Sequence, residues 1–324
     1  MSVFANDGAR YTLPATDEMR REFDPDSGLQ TNGKGHYPQC LISTVFDVFR
    51  RIPIARSIAG VNCPEREQAK GLIPYVPAGN VLLFDRGYPS YEFILYLLTE
   101  FNGYFVFRCP ARGTFASVKS FIEGGAQEDE ICITPSGKFL SSISARQRKK
   151  LNAIRLRVIR LVSPDGTVSV LLTNLFNQVE FPRHDIVDLY FRRWEIEGYF
   201  RDEKIGLEIE KFHGKTPNSI RQEIFAASIM TVISRTLMVL SSAILDSGPQ
   251  EPQFKHAVMT LAAEAAVLAA EDPETAYEVF ETILQEIKRV KYYRSKRKRA
   301  PQPRVTKAPL NKWACSKTKK VANA

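Results

Sequence analysis

The stretch YFRRWEIEGYFRDEK, Tyr190 to Lys204, mixes charged and aromatic side chains at intervals that become coherent on a helix. An α-helix turns about 100° per residue, which places Arg193, Glu197 and Lys204 roughly 60°, 20° and 40° to one side of Tyr190. A phenol, a guanidinium, a carboxylate and an ammonium then share one narrow stripe, with Leu189, Ile196 and Phe200 as an apolar stripe beside it. Such a helix buries one flank and presents four polar groups to a common partner. A surface helix laced with ion pairs would show a similar pattern, so the stripe needs support from elsewhere in the chain.

The 324-residue chain suits one large domain or two modest ones, and 44% hydrophobic residues suffice for a packed core. Cys40, Cys63, Cys109, Cys132 and Cys315 lack C-x-x-C spacing, so neither a zinc site nor a disulfide frame is indicated and a reduced, cytoplasmic setting fits. No secretory pattern opens the chain. The apolar run of residues 224–245 is long enough to span a bilayer, but Arg235 sits at its centre, and a helix buried in a soluble core is expected, with no membrane partner. The formal net charge of +9 is concentrated at one end. Lys288 to Lys320 holds 14 Lys or Arg and no acid, leaving 31 basic against 36 acidic residues elsewhere. With Tyr292, Tyr293 and Trp313 interleaved, this tail suits phosphate contact and base stacking.

Along the chain, ARYTL reads as a short strand after MSVFA, and CLISTVFDVFRRIPIARSIAG as two strands turning at Asp47 to Arg51. VLLFDRGYPSYEFILYLLTEF reads as a buried strand, a turn at Asp85 to Gly87 and a helix capped near Ser90. GYFVFRCP is a further strand. Residues 110–180 are β-rich, including a hairpin turning at Asp165-Gly166. Helices are expected over 183–206, 217–246, 252–270 and 274–292. The expected architecture is α/β: a first core part at 1–109, a β-rich insertion at 110–180, core helices at 181–247, C-terminal helices at 248–292 and a flexible basic tail at 293–324.

Open α/β sheets place chemistry at strand ends. Asp85 follows VLLF directly and should emerge at a strand's carboxyl end, although turn aspartates commonly bond their own backbone. Asp7, in ANDGARYTL, flanks a strand comparably, although Asp-Gly is also a favoured hairpin turn. Asp47 is a rival, placed in a turn away from Asp85. With Glu197, the carboxylates of Asp7 and Asp85 form the set of hard oxygen donors that two Mg²⁺ ions require. Two such ions can activate a nucleophile and stabilise the leaving oxygen of a phosphoryl displacement. Arg193 and Lys204 could then neutralise backbone phosphates, and Tyr190 could donate a hydrogen bond to one.

The spacing Tyr190-x2-Arg193-x3-Glu197-x6-Lys204 resembles the Y-R-E-K signature of bacterial insertion-sequence DDE transposases of family four. TNL at 173–175, LLFDRGYPS around Asp85 and NDGARYTLPAT around Asp7 resemble the same family, and the likeness runs over residues 5–245. It implies a ribonuclease H-like core with a β-rich insertion before the glutamate helix. It implies Asp7, Asp85 and Glu197 as catalytic and metal-binding triad, with Mg²⁺ as cofactor, two ions in number, and Mn²⁺ able to substitute. Tyr190, Arg193 and Lys204 would contact the transposon-end backbone, and the partner is double-stranded DNA, both transposon ends and target. The expected activity is cut-and-paste transposition by a homodimer assembled on DNA at the bacterial nucleoid.

Two departures from the family pattern stand out. Relatives usually carry a helical DNA-binding region before the first aspartate, whereas Asp7 is near Met1, so a truncated, inactive DNA-binding remnant is the alternative. Residues 110–180 lack the Trp that some relatives use to hold a flipped base, leaving Phe115, Phe121 or Phe139 as substitutes. On the helix stripe, Arg193 is expected to grip DNA as a free fork with metal binding independent of it, and Trp194 is expected to pack in the core.

Overall fold

The computed structural model describes residues 1–27, 37–111, 115–163, 166–243, 250–270 and 272–293. Its centre is an eight-stranded mixed sheet. The first strand, β1 (Val3–Thr12), pairs antiparallel with β2 (Gln39–Asp47), which pairs antiparallel with β3 (Ile52–Gly60). On its other side β1 pairs parallel with β4 (Val81–Phe84), which pairs parallel with β5 (Tyr104–Pro110). This is the ribonuclease H-like strand arrangement, three antiparallel strands continued by two that run with the first.

The sheet does not stop at β5. From the segment 110–180, β6 (Glu128–Ile133), β7 (Ile154–Val162) and β8 (Val168–Thr173) add on through antiparallel β5–β8 pairing, giving the order β3-β2-β1-β4-β5-β8-β7-β6. The TNL motif explains the join. Asn174 accepts a hydrogen bond from the Phe105 N–H (2.9 Å) and donates to the Gly103 carbonyl (3.1 Å), tying the end of β8 to the start of β5. Gly166, at the hairpin between β7 and β8, has φ +79°, a conformation costly for other residues; Asp165 lies outside the described residues.

Each sheet face carries its own core. One is lined by Phe4, Leu82, Phe84, Phe105 and Phe107 and covered by α2 (Glu65–Leu72), α3 (Tyr91–Glu100) and α4 (Ala116–Glu123). The other is lined by Val3, Ala5, Tyr11, Val81, Leu83 and Val106 and covered by α1 (Asp17–Phe23), α7 (Arg183–Phe191), α8 (Trp194–Arg201) and α9 (Pro217–Ala243). Short helices α5 (Gly137–Ser142) and α6 (Ala145–Arg148) lie between β6 and β7. The Ser90 hydroxyl caps α3 by accepting from the Phe93 N–H. Helices α1 and α2, absent from the sequence reading, start at the Thr16 side-chain cap and after Pro64.

Three expectations change. The NDG tripeptide is no turn: β1 runs unbroken through it, because β1 is an interior strand paired with β2 along its length and with β4 as far as Asn6. The helix expected over 183–206 is broken. The N–H groups of Arg192, Arg193, Glu195 and Ile196 bond three residues back, and then Asp202–Gly206 forms a π turn. Overwinding followed by underwinding shifts side chains off a uniform 100° stripe. Finally, α9 is long and apolar enough over Pro217–Ser242 to cross a bilayer, yet only 33% of its apolar window is buried. Phe225, Ile229, Ile233, Val239 and Leu240 are exposed, while Arg235 is buried against Asp202 (2.7 Å) and the Arg51 carbonyl.

Beyond α9, α10 (Phe254–Ala270) and α11 (Pro273–Arg289) close a small third core with Leu237, Leu261 and Ile287. The strands β9 (Gln250–Pro252) and β10 (Lys291–Tyr293) pair beside it, so the backbone at Tyr292 and Tyr293 is in a strand. The rest of the basic tail, with Trp313 and Cys315, lies outside the described residues.

Candidate active site

Strand register builds the site. The parallel pairing of β1 and β4 aligns Asn6 with Phe84, so the next position sets Asp7 beside Asp85. Side chains alternate along strands, so Asp7 shares a face with Ala5 and Asp85 with Leu83. The two carboxylates therefore leave the same face on strands spaced about 4.8 Å apart. One strand further, Phe84 pairs with Phe107, which puts Arg108 next in the same row. Arg108 went unnoticed in the sequence because only the register reveals it, although an arginine inside YFVFRCP is a visible anomaly.

Glu197 approaches this row from α8, and the break between α7 and α8 delivers Arg193 into the middle. The Arg193 guanidinium is 3.0 Å from Asp7, 2.9 Å from Glu197 and 4.0 Å from Asp85, with its side chain only 3% exposed. The expected free fork is thus committed to all three acids. The fork is therefore not free of the carboxylates: its two terminal nitrogens already pair with Asp7 and Glu197. The physical reason is charge: three carboxylates gathered at a strand edge need a cation among them.

Asp7 feels this most. Burial pushes its pKa from 3.8 up to about 6; Arg193 and the Gly8 N–H (2.9 Å) pull it down, while Asp85 and Glu65 push it further up. Because the folded value is raised, the stability linked to Asp7 is fully present below pH 3.8 and is lost as pH rises through about 6. The shift corresponds to about 3 kcal/mol. In chelator, urea midpoints of wild type should therefore fall relative to those of Asp7→Asn between pH 4 and 7 and run parallel above it. Parallel curves across the whole range would contradict this placement of Asp7.

Tyr190 is buried at 1% exposure, its hydroxyl without a hydrogen bond of good geometry, and burial lifts its pKa to about 12 with Arg193 opposing. It remains a protonated donor beside the acids. Lys204 is further off. In the π turn it donates to the Arg10 carbonyl, lies 3.5 Å from Glu210 and 4.6 Å from the Tyr11 ring centroid. Arg10 is three residues beyond Asp7, about 10 Å along β1. Tyr190, Arg193 and Glu197 meet at the acid row, and Lys204 stands above it. Asp47, the rival, accepts from the N–H groups of Phe49 and Arg50 and serves its turn. Trp194 is not in the core: it is 52% exposed, Phe191 is likewise exposed, and so is Phe49, whose ring lies under the Arg192 guanidinium.

The donor set suits hard divalent cations, since it offers only carboxylate oxygens, and Arg193 already marks where positive charge is stabilised. Among the described residues no group of three or more His, Cys, Asp or Glu is arranged to hold a metal, and Arg193 occupies the space between the three acids.

Carboxylates in a row on a ribonuclease H-like sheet, faced by a glutamate helix, are an arrangement that metal-dependent phosphoryl transfer can use. The chain belongs to the Transposase DDE domain family, which it matches over residues 2–233. It is 25% identical over 247 residues to transposase InsG for insertion sequence element IS4 of Escherichia coli (strain K12), covering 74% of this chain and 52% of that protein. It is 29% identical over 160 residues to putative transposase y4zB of Sinorhizobium fredii (strain NBRC 101917 / NGR234), 49% of this chain and 43% of the relative. The chain thus spans about half the length of these curated relatives. A solved piggyBac transposase synaptic complex with hairpin DNA aligns at TM-score 0.47 and 10% identity, covering 89% of this chain and 57% of that one. The family implies a divalent metal cofactor.

Proposed function

We propose that the protein is a DNA transposase that cleaves at transposon ends and transfers the freed strand, with Asp7, Asp85 and Glu197 as its metal ligands. The observation that supports this most is the convergence of those three side chains, from β1, the β4 end and α8, on one buried cation, Arg193. Mg²⁺ is the proposed ion, two per site, with Mn²⁺ able to substitute. When bound, the ions supply an activated nucleophile and stabilise the leaving oxygen. The chain's own residues do the rest. Asp7 and Asp85 are held in register by the sheet, so their spacing survives DNA binding. The released Arg193 fork and the Arg108 guanidinium neutralise scissile-strand phosphates. The Tyr190 hydroxyl donates to a phosphate oxygen, Lys204 extends the grip along the duplex, and Trp194 offers an exposed ring to an unstacked base. A homodimer on DNA, soluble at the nucleoid and apart from membranes, is the proposed assembly, and the segment 110–180 is proposed as the family insertion.

An assembled acid row with its counter-ion supports catalysis over a DNA-binding remnant. The test is incubation with a labelled duplex carrying the element's ends and a target plasmid, with Mn²⁺ or with chelator. Metal-dependent nicking followed by joined product is expected. DNA binding without either product would overturn the reading, and nicking without joining would reduce it to a nuclease.

A further inference from the structure

The acid row has a neighbour on the opposite side of the sheet. Gly8, next to Asp7, faces the α2 side, and a Cβ built there would sit 3.2 Å from the carboxyl carbon of Glu65 and 3.3 Å from its Cγ. Glu65 opens α2, so its carboxylate lies over the Gly8 α-carbon at the strand edge where Asp7 and Asp85 emerge. A side chain at position 8 would crowd Glu65 and Leu41, which would have to give by a few tenths of an ångström. This assigns the Asp-Gly dipeptide a physical cause other than a turn.

A second observation comes from Tyr88, which is 1% exposed and closes the Asp85 turn by donating its N–H to the Asp85 carbonyl (3.1 Å). Its hydroxyl comes up to Glu65 under the charges of Asp7, Glu65 and Asp85, yet forms no hydrogen bond of regular geometry. The hydroxyl is thus a buried donor beside the Glu65 carboxylate, without a fully formed hydrogen bond. Glu65 itself is exposed to solvent at the residue level, so a ligand can reach it. Burial of its carboxyl end raises its pKa, Tyr88 and Arg10 oppose, and Asp85 raises it again.

We infer that Glu65 is a fourth carboxylate of the divalent-cation site, reaching it from the far face of the sheet through the gap left by Gly8 and oriented by the Tyr88 hydroxyl. This rests on the reading of Asp7, Asp85 and Glu197 as cation ligands. It makes the site two-sided, with Arg193 and Glu197 closing it from one face and Glu65 and Tyr88 from the other. A fourth carboxylate adds an oxygen donor to the set of about six that such hard cations take.

The test is Mn²⁺ titration calorimetry on the full chain without DNA, comparing wild type, Glu65→Gln, Gly8→Ala and Asp85→Asn, each checked for folding by its melting curve in chelator. Glu65→Gln should weaken Mn²⁺ binding about tenfold or more. Gly8→Ala keeps every charge but pushes the Glu65 carboxylate outward, and should weaken binding in the same direction. Should Glu65→Gln fail to fold, Gly8→Ala and Tyr88→Phe carry the comparison, with wild-type affinity in both overturning the inference. Wild-type affinity in folded Glu65→Gln beside a loss in Asp85→Asn overturns it too and leaves the triad standing. Wild-type affinity in Asp85→Asn overturns the triad reading itself.

Discussion

Asp85→Asn and Glu197→Gln should each reduce strand cleavage by at least about a thousandfold while leaving the fold and most DNA affinity in place. A ligand carboxylate contributes several kcal/mol of charge stabilisation through the ion it holds, and each 1.36 kcal/mol is a factor of ten in rate. Both side chains are about one-third exposed, 35% in each case, so their amides are solvated without strain on the core. The neutral substitutions also remove partners of Arg193, which frees the guanidinium for phosphate and keeps DNA affinity from falling. Gel shift and nicking assays on the same duplex check both halves. Cleavage within tenfold of wild type in either variant, at saturating metal, would remove that residue from the active site.

The second large effect concerns stability and lies behind the glutamate helix. Glu203 is completely buried, and its carboxylate accepts from Tyr11 (2.6 Å), Tyr199 (2.5 Å) and both terminal nitrogens of Arg56 (2.8 and 2.9 Å). These partners come from β1, α8 and β3, and Arg56 also donates to Ser228 of α9. One carboxylate therefore fixes the π turn to the sheet. Glu203→Ala strands the Arg56 guanidinium, which is 4% exposed, and should cost about 3–5 kcal/mol. Tyr199→Phe, which leaves the ion pair intact, should cost about 1 kcal/mol. Urea unfolding of the metal-free protein measures both, and a midpoint for Glu203→Ala no lower than that of Tyr199→Phe would contradict the network. A folded Glu203→Gln should bind DNA more weakly, because Lys204 rides on the turn that Glu203 anchors.

What was legible in the sequence follows a physical divide. Asp85 could be placed because an apolar strand ending in Asp and a Gly turn has one common geometry. The strands around it, the hairpin of β7 and β8 and the Ser90 cap follow from local patterns of the same kind. Asp7 could be picked out but not placed: Asp-Gly favours a turn in isolation, and only pairing with β2 through Asp7 and Gly8, with β4 up to Asn6, overrides that preference. The stripe of Tyr190, Arg193, Glu197 and Lys204 assumed a uniform helix, and the tight turn at 192–196 with the π turn at 202–206 altered it. That alteration turns Trp194 outward and seats Arg193 among the acids. The roles proposed for Arg108 and Glu65 and the anchoring by Glu203 were invisible, because their neighbours are set by strand register, by a missing Cβ and by contacts spanning 147 to 192 residues. No local pattern carries such information.

The central claim is that the cation held by Asp7, Asp85 and Glu197 is a divalent metal, with Arg193 standing in its place when metal is absent. Crystals of the full chain soaked in Mn²⁺ and measured at the manganese absorption edge test it most directly. Anomalous density bounded by these three carboxylates is expected, with the Arg193 guanidinium withdrawn from them. Absence of anomalous density there at saturating Mn²⁺, with Arg193 still paired to Asp7 and Glu197, would contradict it.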